Sequence, residues 1–82
     1  MRTELYLKCI GENIRRARQR AGLRQVDVNL KSGLTYRHYQ NIEAGKINVT
    51  IATLRKLAFT LGASICDLVK DCEGKTSGTS PQ

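Results

Sequence analysis

The sequence has few of the residues that build metal, cofactor and catalytic sites. Its 82 residues include no tryptophan, one phenylalanine, one histidine and three cysteines. The cysteines, Cys9, Cys66 and Cys72, lack the paired C-x-x-C spacing of zinc sites and are odd in number. We therefore expect no metal, no disulfide framework and reduced thiols. Because no Ser/His/Asp set or phosphate-binding loop is present, we also expect neither an enzyme nor a cofactor nor a small-molecule substrate.

Long apolar runs are also missing. The longest run is a few residues, far below the roughly 20 that cross a bilayer. The N-terminus carries Glu4 and Lys8 where a secretory signal needs an unbroken apolar stretch, so we expect a cytoplasmic protein with no membrane partner. One Phe and three Tyr are too few for the aromatic stacking platform of common RNA-binding modules.

Acidic residues are half as frequent as basic ones. The 14 Lys/Arg and 7 Asp/Glu give a net charge of +7, and residues 1–46 hold ten of the basic and four of the acidic residues. The basic half is where we expect a polyanion to bind. The same charge imbalance would also suit binding to an acidic membrane surface, or a face that is simply solvated. The length suits one small domain, assigned to residues 1–72; residues 73–82 have no apolar side chain and are predicted to form a disordered tail.

Apolar residues recur at helical spacing in four segments. These helices are expected from Ile10 to a stop at Gly22, from the N-cap Thr35 to Gly45, from the N-cap Thr50 to Gly62, and from the capping box at Ser64 onward. Residues 24–31 alternate apolar and polar side chains as a short strand would, so their spacing leaves helix and strand both open.

Two opposite charges lie at the edges of apolar helix faces. A helical projection places Arg18 beside the stripe of the first helix and Glu43 beside Tyr39 on the third. Each charge alone would be unfavourable there, so we infer that the two pair across the packed helices. The alternative is two independent surface charges.

The chain resembles the Cro and phage-repressor (XRE) family of helix-turn-helix domains over roughly residues 10–70. The resemblance rests on Gln25, Gly33, the Ile42-Glu43-x-Gly45 run and the Leu-Gly pair before the last helix, all at family spacing. It implies an all-α, compact five-helix bundle of the lambda-repressor-like type, with the second and third helices as the helix-turn-helix. The family also carries a buried ion pair at the Arg18 and Glu43 positions. The linker 46–50 is similar to that of restriction-modification controller proteins.

The resemblance implies double-stranded DNA as the partner, with the third helix reading bases in the major groove. Its base-reading positions correspond to Tyr36, Arg37, Gln40 and Asn41, whose side chains suit guanine, adenine and thymine edges. Phosphate contacts are expected at Arg24, Gln25, His38, Lys46 and Asn48. A lone surface histidine is more often silent, and any of these cations can simply be solvated.

Two residues depart from the family pattern. Arg24 stands where a Ser or Thr usually caps the second helix, so that cap is expected to be lost. Asn29 stands where a small apolar residue lets the second and third helices pack closely, so its amide must find partners.

One reading helix contacts too few base pairs to find a site in a genome, so we expect a homodimer on two half-sites about 34 Å apart. The expected interface lies on the last two helices, which have low net charge. Its residues are Phe59, Ile65, Leu68 and Val69, each of which could instead be buried within one chain.

The sequence thus predicts a sequence-specific DNA-binding transcriptional regulator, either activator or repressor, that could control its own restriction-modification operon. The alternative is an antitoxin-type interaction module whose DNA binding is secondary. Neighbouring genes would discriminate: methyltransferase and endonuclease genes favour the first, and a toxin gene favours the second.

Overall fold

The computed structural model describes residues 3–72, which form five α-helices and no strand. The helices are α1 (Thr3–Arg20), α2 (Gln25–Ser32), α3 (Tyr36–Glu43), α4 (Ile51–Leu61) and α5 (Ile65–Leu68). The all-α prediction is confirmed. The tail predicted for residues 73–82 lies outside the described residues.

The segment whose alternation allowed a strand is helix α2. Of its three alternating apolar residues, Val28 is fully buried, whereas Val26 and Leu30 remain 38% and 74% exposed. The buried positions are Val28 and Ser32, four residues apart, which is the spacing of one helical face. The alternation therefore did not mark a sheet face, because only one of its apolar residues enters the core.

Helix α1 begins about two turns before the predicted start at Ile10. Tyr6 and Cys9 continue the buried stripe toward the N-terminus and pack against the core. The prediction was too short because it counted the stripe only from Ile10, although Tyr6 lies one turn earlier on the same face.

The core lies between α1 and the other helices. Helix α1 packs against α3, α4 and α5, and α2 packs against α3 and α4. The buried apolar side chains are Ile10, Ile14, Ala17, Val28, Tyr39, Ile42, Leu54, Leu57, Ala58, Leu61, Leu68 and Cys72. Helix α3 is thus covered on one side by this core and has its other side in solvent.

Helices α1 and α3 are in close contact at a glycine of α1. Gly11 is buried, and a Cβ built on it would overlap the backbone carbonyl groups of Ile42 and Glu43. Gly45, just after α3, meets the backbone of Lys8 in the same way. The absence of side chains at these two positions lets α1 lie directly on the C-terminal end of α3.

The turn between α2 and α3 is closed by Asn29. The backbone N–H of Gly33 donates to the carbonyl of Asn29 at 3.0 Å, and the Asn29 side chain donates to the carbonyl of Leu34 at 3.2 Å. The amide predicted to need partners has therefore found one for its nitrogen. Its Oδ1 is buried without a hydrogen-bond partner among the described residues.

The expectation of three reduced thiols is wrong in this structure. Cys9 and Cys72 form a disulfide with a Cα–Cα separation of 5.5 Å across 63 residues of sequence, and Cys66 is free and exposed. Spacing rules identify cysteines that are near in sequence, whereas these two meet because the segment after α5 packs on α1. Asn13 fixes the same junction by donating to the carbonyls of Leu68 and Lys70 at 3.1 and 3.0 Å.

Candidate nucleic-acid interface

Within residues 3–72, no three His, Cys, Asp or Glu side chains come together as a metal site would require. The same residues contain no helix long and apolar enough to cross a membrane. Polar side chains converge instead on the carboxylate of Glu43, at the end of α3.

Glu43 accepts hydrogen bonds from all three helices that meet there. Arg18 of α1 donates from Nε to Oε2 at 2.6 Å and from Nη2 to Oε1 at 3.4 Å. Gln25 of α2 donates to Oε1 at 2.9 Å, and the hydroxyl of Tyr39 donates to Oε2. The pairing inferred from the helical projection is therefore present, with only 13% of the Arg18 side chain and 5% of the Glu43 side chain exposed.

The hydrogen bonds in this cluster keep Glu43 and Arg18 charged and Tyr39 protonated. Burial works to raise the pKa of Glu43, but the hydrogen bonds from Arg18, Tyr39 and Gln25 outweigh it and lower that pKa below its ordinary value. The hydrogen bond to Glu43 raises the pKa of Arg18. Burial, helped by Glu43, raises the pKa of Tyr39, so its hydroxyl stays protonated and donates. The four hydrogen bonds fill the lone pairs of the carboxylate.

The N-terminus of α2 replaces its missing cap with an acidic side chain. An arginine side chain has no acceptor for a backbone N–H, so the usual cap is indeed absent. Asp27 compensates by accepting from the backbone N–H of Arg24 at 2.8 Å and from its guanidinium at 3.1 and 2.9 Å. These hydrogen bonds lower the pKa of Asp27 to about 2. Arg24, predicted to contact phosphate, is thus paired through Nε and Nη2, and its Nη1 remains available.

Most predicted base-reading residues lie on the outer face of α3. Tyr36, Arg37 and Gln40 are exposed, and Asn41 is half-buried. The hydroxyl of Tyr36 donates to Oε1 of Gln25 at 3.4 Å, which links the first residue of α3 to the Glu43 cluster. The N-cap is the predicted Thr35, whose hydroxyl accepts from the backbone N–H of His38 at 3.1 Å.

A shallow groove between α1 and the C-terminal end of α3 joins several predicted DNA contacts. Its lining residues are Arg15, Arg18, Gln25, Gln40, Asn41, Glu43, Ala44 and Lys46. The groove does not include Arg24, His38 or Asn48, which are nevertheless exposed. Arg15 is not among the residues for which the sequence predicts a direct DNA contact. The signal for it was its position on α1 one turn before Arg18, on the side that faces α3.

The structure divides the four residues assigned to a dimer interface. Phe59 on α4 is 89% exposed, and Ile65 and Val69 are half-buried against the core. Leu68 is fully buried within the chain, so its assignment to an intermolecular interface is wrong. Leu68 is the one buried residue of α5, which has only four residues. A helix this short shows too little periodicity for the sequence to predict which of its apolar residues is buried.

The sequence that forms α2, its turn and α3 matches a known family model. The model described as HTH_3, helix-turn-helix, covers residues 14–68, which is most of the chain. The chain belongs to the HTH_3 family. The fold class and the XRE-type resemblance proposed from the sequence are both confirmed by this match.

Relatives of this HTH_3 protein are named as transcriptional regulators. An uncharacterized HTH-type transcriptional regulator, y4dJ, of Sinorhizobium fredii is 36% identical over 72 residues, which are 88% of this chain and 94% of the relative. The regulator DdrOP3 of Deinococcus deserti is 32% identical over 74 residues, and the match spans 57% of its length.

Two solved structures share the fold. The restriction-modification controller protein C.AhdI from Aeromonas hydrophila superposes with a TM-score of 0.72 at 31% identity, covering 76% of this chain and 94% of the other. An HTH_3 family transcriptional regulator from Vibrio cholerae gives 0.79 at 26% identity, covering 96% of this chain and 45% of the other.

Proposed function

We propose that this HTH_3 protein is a sequence-specific DNA-binding transcriptional regulator that places α3 in the major groove. The observation that carries the proposal is the outer face of α3, where Tyr36, Arg37 and Gln40 are exposed while the inner face is buried. An α-helix fits the major groove, arginine can donate to O6 and N7 of guanine, and a side-chain amide can pair with adenine. The protein itself has no catalytic role in this proposal.

Phosphate contacts would fix the register of α3 on the duplex. Gln25 uses one amide hydrogen for Glu43, which leaves the second for a phosphate oxygen at the N-terminus of α2. Lys46 and Asn48 are exposed in the segment after α3. Arg24 and His38 are exposed as well, although Asp27 already holds part of the Arg24 guanidinium.

A homodimer would supply the second reading helix. Phe59 is an almost fully exposed aromatic on α4, and a second copy of the chain could cover it together with the half-buried Ile65 and Val69. Two copies of α3 would then enter successive major grooves on half-sites about 34 Å apart.

The similarity to a restriction-modification controller supports the narrower proposal that this protein controls its own operon. The decisive experiment is footprinting of the purified protein on the DNA just upstream of its gene. We expect two protected half-sites related by a two-fold axis, next to methyltransferase or endonuclease genes. If no segment is protected and selection from random duplexes enriches no sequence, specific DNA binding is refuted.

The dimer requires a separate test. Phe59→Glu is expected to abolish cooperative binding to the two-half-site operator and to leave binding to a single half-site unchanged. Leu30→Glu, which adds the same charge at an exposed apolar residue of α2, is the matched control and should keep cooperativity. A wild-type protein that sediments as a monomer at tens of micromolar and binds both DNAs equally would exclude the dimer.

A further inference from the structure

Helix α1 contributes a cation to the surface that carries the predicted DNA contacts. Arg15 is exposed and lines the groove between α1 and α3 together with Gln40, Asn41 and Lys46. Four of the groove's residues, these three and Gln25, are thus assigned to DNA from the sequence, whereas Arg15 lies on a helix outside the helix-turn-helix.

The charge of Arg15 is not neutralised by a neighbour. The ion pairs within residues 3–72 join Arg16 to Glu12, Arg18 to Glu43 and Arg24 to Asp27. Arg15 and Lys46 belong to none of them. The groove therefore has two uncompensated cations beside the amides of Gln25, Gln40 and Asn41.

This combination suits an anion with several acceptor oxygens. A guanidinium donates two parallel hydrogen bonds to a phosphate, and an ammonium serves as a point charge beside it. The only carboxylate in the groove, Glu43, is already paired with Arg18 and has its lone pairs filled. It does not repel an approaching anion as a free carboxylate would.

We propose that Arg15 and Lys46 together bind a backbone phosphate of duplex DNA, so that α1 as well as the helix-turn-helix contacts the strand. This inference rests on the proposed function and names a residue that it does not include. The contact is independent of base identity, because phosphates carry no sequence information. Its role is to fix the orientation of α3 in the major groove of the DNA.

The adjacent arginine provides a control of equal charge. Arg16 lies on the side of α1 that faces α5, in a different groove with Asn13, Arg20, Asp67, Lys70 and Asp71, and it is paired with Glu12 at 3.2 Å. Arg15→Ala and Arg16→Ala remove the same charge one residue apart on an exposed helical surface. A difference between them cannot come from net charge.

The test is the salt dependence of binding, measured by fluorescence anisotropy with the operator and with a random duplex between 50 and 200 mM KCl. For each protomer bound, the loss of one phosphate contact makes the plot of log K against log salt less steep by about 0.9. Over a tenfold change in salt, from 1 M to 0.1 M, such a variant gains about eightfold less affinity than the wild type. Arg15→Ala should show this reduction in slope on both duplexes. Arg15→Lys should restore most of the slope, and Arg16→Ala should keep the wild-type slope.

Three results would overturn the inference. An unchanged slope for Arg15→Ala, while Arg37→Ala abolishes operator preference, would refute the phosphate contact and leave the proposed function intact. Equal losses in Arg15→Ala and Arg16→Ala would reduce both to long-range attraction. A wild-type protein that binds neither duplex would refute the proposed function, and the α1 contact with it. Circular dichroism melts of each variant confirm that the helices remain folded.

Discussion

Tyr39 and Glu43, one turn apart on α3, are joined by a hydrogen bond inside the protein: the phenol hydroxyl donates to Oε2 of the carboxylate. Tyr39 is fully buried, and it supplies the only donor to Glu43 that comes from α3 itself among the described residues. Helix α3 thus holds its own carboxylate in the orientation in which it accepts from Arg18 and Gln25.

Removing this hydroxyl is expected to destabilise the protein without a change in packing. Tyr39→Phe keeps the ring but deletes a hydrogen bond to a charged acceptor, which is worth about 2 kcal/mol in the free energy of unfolding. Urea melts at pH 7 measure the difference. A variant as stable as the wild type would show that Glu43 does not use the hydroxyl.

The ion pair between Arg18 and Glu43 is expected to be strongly coupled. Arg18→Ala or Glu43→Ala alone should lose about 3 kcal/mol, because each leaves a nearly buried charge without its partner. The double variant should lose much less than the sum of the two. Additive losses in the denaturant midpoints would mean that the two side chains do not interact in solution.

Acid should destabilise the fold over a defined pH range. The pKa values of Glu43 and Asp27 are lowered in the folded protein, that of Asp27 to about 2. Groups with depressed pKa values contribute their full stability above the unfolded values, about 4.3 for Glu and 3.9 for Asp, and lose it as the pH falls through the folded ones. Urea midpoints should therefore be level above about pH 5 and fall from about pH 4 toward pH 2. Glu43→Gln and Asp27→Asn should each flatten that decline, and an unchanged pH profile in both would exclude these carboxylates as its cause.

Base and phosphate contacts should respond differently to mutation. Arg37→Ala is expected to lose roughly 1 to 3 kcal/mol on the operator and to relax the preference at one guanine per half-site, with random DNA bound almost as before. Gln25→Ala should weaken binding to all sequences, because a phosphate contact carries no base information. Binding selections from random duplexes with both variants provide the measurement. A changed consensus for Gln25→Ala would contradict its phosphate role.

The disulfide predicts a dependence of stability on the redox state of the buffer. Closing a loop of 63 residues stabilises a fold by about 4 kcal/mol in the chain-entropy model. Reduction with dithiothreitol, or the Cys9→Ser variant, should lower the midpoint temperature of thermal unfolding by an amount that corresponds to this loss of free energy. Cys66→Ser is the control, since Cys66 is free and exposed, and it should behave like the wild type in both buffers. Identical midpoints with and without reductant would show that the bond does not form in solution.

The parts of the site that could be predicted from the sequence are those set by local periodicity. The projection of Arg18 and Glu43 onto their helix faces placed both charges correctly, because 100° per residue fixes direction within a helix. The disulfide, the inward position of Leu68 and the place of Arg15 in the groove that Lys46 also lines all depend on how helices distant in sequence pack. Periodicity gives no information on that packing. The projection places Glu43 beside Tyr39, but it gives only the direction of each side chain and not the positions of its atoms. The hydrogen bond between the two residues therefore could not be predicted from it.

The close approach at Gly11 has a consequence for the orientation of α3. Because α1 rests directly on the backbone at the end of α3, that end of α3 cannot shift without a matching shift of α1. In the proposed regulator, α1 would therefore help to set the angle at which α3 meets DNA.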